Sequence, residues 1–159
     1  ICDNKGMVLE VFNSKSNSAL DEETSFLVLE LMKGVVDGGT GGRLRFRYGL
    51  TSTIAGKTGT TDNNSDGWFI GLNPKLATAV WVGGELRSIH FRSTALGQGE
   101  SMALPAYALF MKRCEKDSKL NFYKGDFDRP PTISVDMDCS NYIQELDEGM
   151  MEQERHKDW

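Results

Sequence analysis

Cysteine, histidine and proline are all scarce in this 159-residue chain, with three, two and four copies. Cys2, Cys114 and Cys139 show no metal-type spacing, and an odd count cannot close into a complete internal disulfide set; whether one pair is joined stays open. His90 and His156 stand in unrelated contexts, without carboxylate spacing that suggests a metal or a triad, so both are expected at the surface. No metal and no cofactor is expected. No apolar run approaches the ~18 residues of a membrane helix, and no signal-peptide pattern is present. The chain opens on Ile1 rather than Met, which is read as a processed or excised chain; a membrane anchor would then lie upstream of Ile1. No basic stripe interleaves with aromatics, which argues against nucleic acid as a partner, and there is no internal repeat.

What is present suits one domain plus a tail. Hydrophobic residues make up 39%, with eight Phe, four Tyr and three Trp, enough for a core. Of seventeen glycines, fourteen lie between Gly34 and Gly99 and point to turns and close backbone approaches. The net charge of −5 is uneven: eight acidic residues against Arg155 and Lys157 leave 136–159 at −6 and the remainder at +1. This divides the chain into a domain over 1–116, a linker over 117–135 marked by Pro130-Pro131, and an acidic tail over 136–159, expected to be solvated and disordered.

Met7–Phe12 reads as a short strand after the turn-prone Asp3-Asn4-Lys5-Gly6. A polar loop, 13–18, follows. Asp21 is a candidate N-cap for a helix reaching about Val36, with Glu22 and Glu23 favourably placed for the helix dipole and Asp37-Gly38-Gly39 as its stop. Its apolar residues cover much of the circumference, which predicts a largely buried helix. In 41–49, Arg43, Arg45 and Arg47 alternate with Leu44 and Phe46, as in an exposed ribbon or edge strand whose arginines are solvated rather than a substrate-facing rim. Strands are expected at 53–60, 68–72 and 77–83; their short connections, including Asn73-Pro74-Lys75, imply an antiparallel meander. A helix is expected over Leu104–Cys114 with Pro105 in its first turn, and Ile133-Ser134-Val135 resembles a last strand. Trp68 and Trp81 are read as core, Met102 and Met111 as packing, and Asp66 as a turn residue that could shape a cleft loop.

The stretch that carries chemistry is Ala55-Gly56-Lys57-Thr58-Gly59-Thr60-Thr61. On a strand, Lys57 and Gly59 share one face and Thr58 and Thr60 the other. An edge strand of this composition offers an acyl substrate ending in a carboxylate one ammonium, two hydroxyls and the Thr60 backbone N–H. Gly59 lets that substrate lie against the backbone. These are an anion anchor and an oxyanion donor, which an acyl-transfer site needs beside its nucleophile. Gly56-Lys57-Thr58 also ends a phosphate-loop pattern, but that pattern requires glycine where Thr51 stands and a helix where Gly59–Asn64 are poor helix formers.

Lys-Thr-Gly-Thr-Thr, a polar loop, Trp68-Phe69-Ile70-Gly71, Asn73-Pro74 and Val80-Trp81-Val82-Gly83 resemble the successive sheet strands of class A, bifunctional penicillin-binding proteins. Leu31–Val36 with Gly39-Thr40-Gly41 is similar to the segment before that family's Lys-Thr-Gly strand. Gly97-Gln98-Gly99, Ala103-Leu104-Pro105 and Phe110-Met111 resemble its closing helix. The likeness covers about 5–115 in order and identifies the chain with the C-terminal part of a transpeptidase domain. It implies an α+β fold, a mostly antiparallel sheet flanked by helices on both sides, as in serine β-lactamases and D,D-transpeptidases. It also implies Lys57 and Thr60 as catalytic residues, with Lys57, Thr58, Gly59 and Thr60 binding the substrate carboxylate and peptide. The partners implied are a D-Ala-D-Ala stem peptide, β-lactams, and the N-terminal half of the same domain. The sheet face awaiting that half would be open to self-association.

One departure is decisive for activity. None of the ten lysines follows a serine at the spacing Ser-x-x-Lys, and no asparagine completes Ser-x-Asn. In the family both motifs precede Lys-Thr-Gly, so both are expected upstream of Ile1, and the chain alone is expected not to acylate. A binding module that keeps the sheet without catalysis is the alternative.

Overall fold

The computed structural model describes residues 1–13, 17–121 and 123–137. Ile1–Asp128 forms one compact unit, and the described part of the second, 129–137, holds neither helix nor strand. The strand expected at Ile133–Val135 is therefore not formed: these residues join no sheet ladder among the described residues. Cys139, His156 and most of the acidic tail lie outside the described residues.

Helix α1 spans Glu22–Asp37 and starts where Asp21 caps it, the carboxylate accepting from the Thr24 N–H at 2.7 Å and the Thr24 hydroxyl at 2.7 Å. It ends at Gly38. Only Phe26 and Val36 are buried, while Val28 and Leu31 face solvent, so α1 lies on one side of the core rather than within it.

After α1 the chain turns tightly. The Gly39 and Gly41 amides both donate to the Val35 carbonyl, and a β-carbon at Gly41 would crowd Val36. This turn starts a one-turn helix, α2 (Arg43–Phe46), where a ribbon was expected. Four residues cannot separate a period of two from one of 3.6. The helix buries Leu44 and sends Arg45 back to Asp37 at 2.8 Å and to the Leu50 and Ser52 carbonyls, while Arg43 reaches Glu100 at 3.0 Å. These two arginines tie loops together and are only partly solvated.

Strands β1 (Ala55–Thr60), β2 (Asp66–Asn73) and β3 (Leu76–Gly83) form the expected meander in the order β1-β2-β3. In register, Gly59, Trp68 and Trp81 stand side by side, as do Lys57, Ile70 and Ala79. Two single turns, α3 (Thr94–Gly97) and α4 (Gly99–Met102), lead into α5 (Leu104–Lys116), with Pro105 in its first turn. The core joins Val36, Leu44, Leu50 and Ile54 to Phe69 of the sheet and to Leu104, Tyr107, Ala108 and Met111 of α5. Three glycines let the helices touch the strands: a β-carbon at Gly56 would meet Phe69 and Val36, at Gly67 Met102, and at Gly71 the Tyr107 ring.

Helices α1 and α5 thus pack on one face of the sheet, and the opposite face stays uncovered among the described residues. Trp68 and Trp81 lie there, 41% and 47% exposed, their rings 6.3 Å apart, which corrects their reading as core. Strand alternation accounts for this, because Phe69 and Val80, one position away, take the helix-facing side.

The strand expected at Met7–Phe12 is instead one arm of a turn. Asp3 accepts from the Lys5 and Met7 amides, Cys2 and Val8 make a single bridge, and the apolar side chains stay exposed. Cys2 is exposed and Cys114 buried, both as free thiols.

Candidate active site

Lys57-Thr58-Gly59-Thr60 occupies β1, which has β2 on one side and, among the described residues, no strand on the other. The Thr61 N–H donates to the Asp66 carbonyl at 3.0 Å. Backbone groups alternate in direction along an antiparallel strand, so with Thr61 turned toward β2 those of Thr58 and Thr60 point to the open edge. The Lys57 ammonium donates to the Thr58 carbonyl at 2.7 Å, on that same edge. Lys57 is exposed on the uncovered face beside Ile70, and Gly59 sits against the Trp68 side chain.

The two hydroxyls turn the other way. Thr58 Oγ1 lies 3.0 Å from Thr40 Oγ1, and Thr60 Oγ1 accepts from the Gly99 N–H at 3.0 Å. A hydroxyl that accepts one bond keeps its own proton to donate. The strand is thereby held from behind by the turn after α1 and by the start of α4. Neither Thr40 nor Gly99 was singled out as a site residue from sequence; both lie in glycine-flanked stretches of the family likeness, which was the available signal.

The connection after Thr60 is held by a cluster that sequence reasoning also missed. Asn63 and Asn64 adopt positive φ (61° and 56°), which asparagine tolerates. Asp66 then gathers three donors: Ser65 Oγ at 2.9 Å, Trp81 Nε1 at 3.0 Å and Thr61 Oγ1 at 3.2 Å. The Ser65 hydroxyl first, then the Trp81 indole, hold its carboxyl below the usual carboxylate range. Asp66 is thus the first residue of β2 and the hub of the loop, more than the turn residue expected. His90 is exposed, as read from sequence; with Ile89, Phe91, Val82 and Gly84 it lines a shallow groove beyond β3, apart from Lys57. Among the described residues no group of three or more His, Cys, Asp or Glu could hold a metal.

An antiparallel sheet with helices packed on it and Lys-Thr-Gly-Thr along its open edge strand defines the class, the serine β-lactamase and D,D-transpeptidase-like fold, here in part. No family model matches the chain. Penicillin-binding protein 1A of Aquifex aeolicus is 32% identical over 82% of this chain, and penicillin-binding protein 1B of Vibrio cholerae 31% identical over 89%. The 1A protein of Neisseria gonorrhoeae is 35% identical over 64%. The crystal structure of penicillin-binding protein 1A from Haemophilus influenzae superposes with a TM-score of 0.57 over 70% of the chain, at 24% identity. The chain belongs to the class A penicillin-binding proteins and matches the C-terminal part of their transpeptidase domain. It spans between 12% and 18% of the length of these curated relatives.

Proposed function

We propose that this chain supplies the substrate-binding strand of a peptidoglycan D,D-transpeptidase whose nucleophilic serine lies elsewhere in the same polypeptide. That serine attacks the carbonyl between the two D-Ala residues of the stem peptide, breaks the amide bond and releases the terminal D-Ala; the resulting ester is then broken by an amine of a neighbouring stem, which takes the acyl group as a new amide and frees the serine. β-Lactams enter as mimics of the first substrate. The observation that carries this reading is the orientation of β1: the Thr60 N–H points to an edge that no strand of the described residues covers, and Lys57 lies on the uncovered face.

In this reading the Thr60 N–H is half of the oxyanion hole. Lys57 adds positive charge near the serine of Ser-x-Asn and helps orient the substrate carboxylate. Thr58 and Thr60, whose hydroxyls face Thr40 and Gly99 in the free strand, donate their hydroxyl protons to that carboxylate once rotated toward the edge, and Gly59 leaves space for the peptide. Each oxyanion donor contributes about 3–4 kcal/mol in the transition state. The uncovered sheet face takes the segment that bears the serine. The longer polypeptide carries a membrane anchor and a glycosyltransferase domain, with this part on the periplasmic side of the inner membrane. Among the described residues no helix is long and apolar enough to cross a membrane.

Fluorescent-penicillin labelling tests the reading. The polypeptide containing both this chain and the serine should label, and this chain alone should not. Lys57→Ala in the former should slow acylation by about a hundredfold. A labelled isolated chain, or a longer polypeptide that stays unlabelled, refutes it.

A further inference from the structure

The Asp66 cluster does more than close a loop. Asp66 has the strand parity of Trp68, so its carboxylate lies on the uncovered face, at the end of the sheet where Thr60 sits. Room for it comes from Gly83, its register partner, where a β-carbon would strike both Asp66 Oδ1 and the Trp81 ring. Its two oxygens divide the work. Oδ1 accepts from Trp81 Nε1 and so fixes an indole on the uncovered face; Oδ2 accepts from Ser65 and Thr61. Thr61 is bound a second and third time, through its amide to the Asp66 carbonyl and through its hydroxyl from the Asp66 amide at 2.9 Å. Thr61 directly follows Thr60, whose hydroxyl is pinned by Gly99.

We propose that Asp66 is a positioning residue for acylation, holding the peptide plane between Gly59 and Thr60 so that the Thr60 N–H keeps its direction toward the edge. This inference rests on the transpeptidase reading. A two-residue turn would join β1 and β2 without a carboxylate. What the carboxylate adds is an acceptor for three donors at once, and only an ionised Asp or Glu accepts without donating. Aspartate is the shorter of the two, in keeping with the tight space left by Gly83.

The test uses the polypeptide that carries the serine as well as this chain, with stopped-flow penicillin acylation resolved into the non-covalent Kd and the limiting acylation rate. Asp66→Ala should lower the limiting rate by roughly ten- to a hundredfold, as expected when a donor is displaced by about an ångström, and leave Kd within about threefold. Asp66→Asn retains one acceptor oxygen and should fall between wild type and Asp66→Ala. A general loss of folding would move Kd and rate together; a misdirected donor moves the rate alone. If Asp66→Ala does not fold, Asp66→Asn decides: about a fivefold loss or more in rate at constant Kd supports the role, and a rate within about twofold of wild type overturns it. Wild type that acylates normally beside unaffected variants sinks this inference alone, whereas wild type that never acylates removes the transpeptidase reading with it.

Discussion

Two glycines with opposite surroundings make the packing argument testable residue by residue. A methyl at Gly71 would enter the ring and hydroxyl of Tyr107, which is fully buried and rests 4.8 Å from the Phe69 ring. Gly71→Ala should therefore destabilise the chain by about 1–3 kcal/mol through overpacking. Gly34 lies inside α1 with nothing within 4 Å of a would-be β-carbon. Gly34→Ala should stabilise by about 0.5–1 kcal/mol, because alanine costs less backbone entropy in a helix. Urea midpoints of both variants decide the matter; shifts of the same sign would contradict the placement of the helices on the sheet.

At the scale of elements, α1 depends on its cap. Thr24 donates its backbone N–H and its hydroxyl to Asp21, in that order of importance, and these hold the carboxyl below its ordinary value of 3.8. A depressed folded-state pKa means the ionised cap favours the native state at neutral pH and that this contribution is lost as pH falls through the carboxylate range. Asp21→Ala should lower the urea midpoint at pH 7, with the gap to wild type closing in acid. A gap independent of pH would exclude the cap. This helix was legible because Asp21, Glu22 and Gly38 are local signals read over adjacent residues, and the meander was legible because Asn73-Pro74 and the polar connection after Thr60 punctuate strand-type runs. What was not legible depends on partners distant in sequence. The helical turn at Arg43–Phe46 is held by the Arg43–Glu100 ion pair and by burial of Leu44 in the core, and Met7–Phe12 has strand-like residues but, among the described residues, makes only the single Cys2–Val8 bridge. In the site, β1 and its alternation followed from the motif. The hydroxyl contacts to Thr40 and Gly99 and the convergence on Asp66 did not, since those pairs are set by tertiary packing and by the register with β3.

Taken as a whole, the molecule presents a sheet finished on one side. On the other, Trp68, Ile70 and Trp81 are each more than 40% exposed and contiguous in register, with Ala79 between the last two. Contiguous apolar surface of this kind is uncommon on a monomer unless something covers it. In the proposed function that cover is the serine-bearing segment, so the chain without it should bury the face against a second copy. Sedimentation velocity of the isolated chain should show a weight-average mass that rises with concentration. Ile70→Glu puts a carboxylate in the middle of the patch and directly opposite Lys57, an opposite-charge cross-strand pair that the sheet tolerates. It should shift the chain toward monomer while leaving the urea midpoint nearly unchanged. Restoring the serine-bearing segment in the same polypeptide should suppress the association without any substitution, because the face is then occupied. A wild-type chain that stays monomeric at every concentration would mean the face is stable in water as it stands, and the proposal that the nucleophile's segment packs there would lose its physical motive.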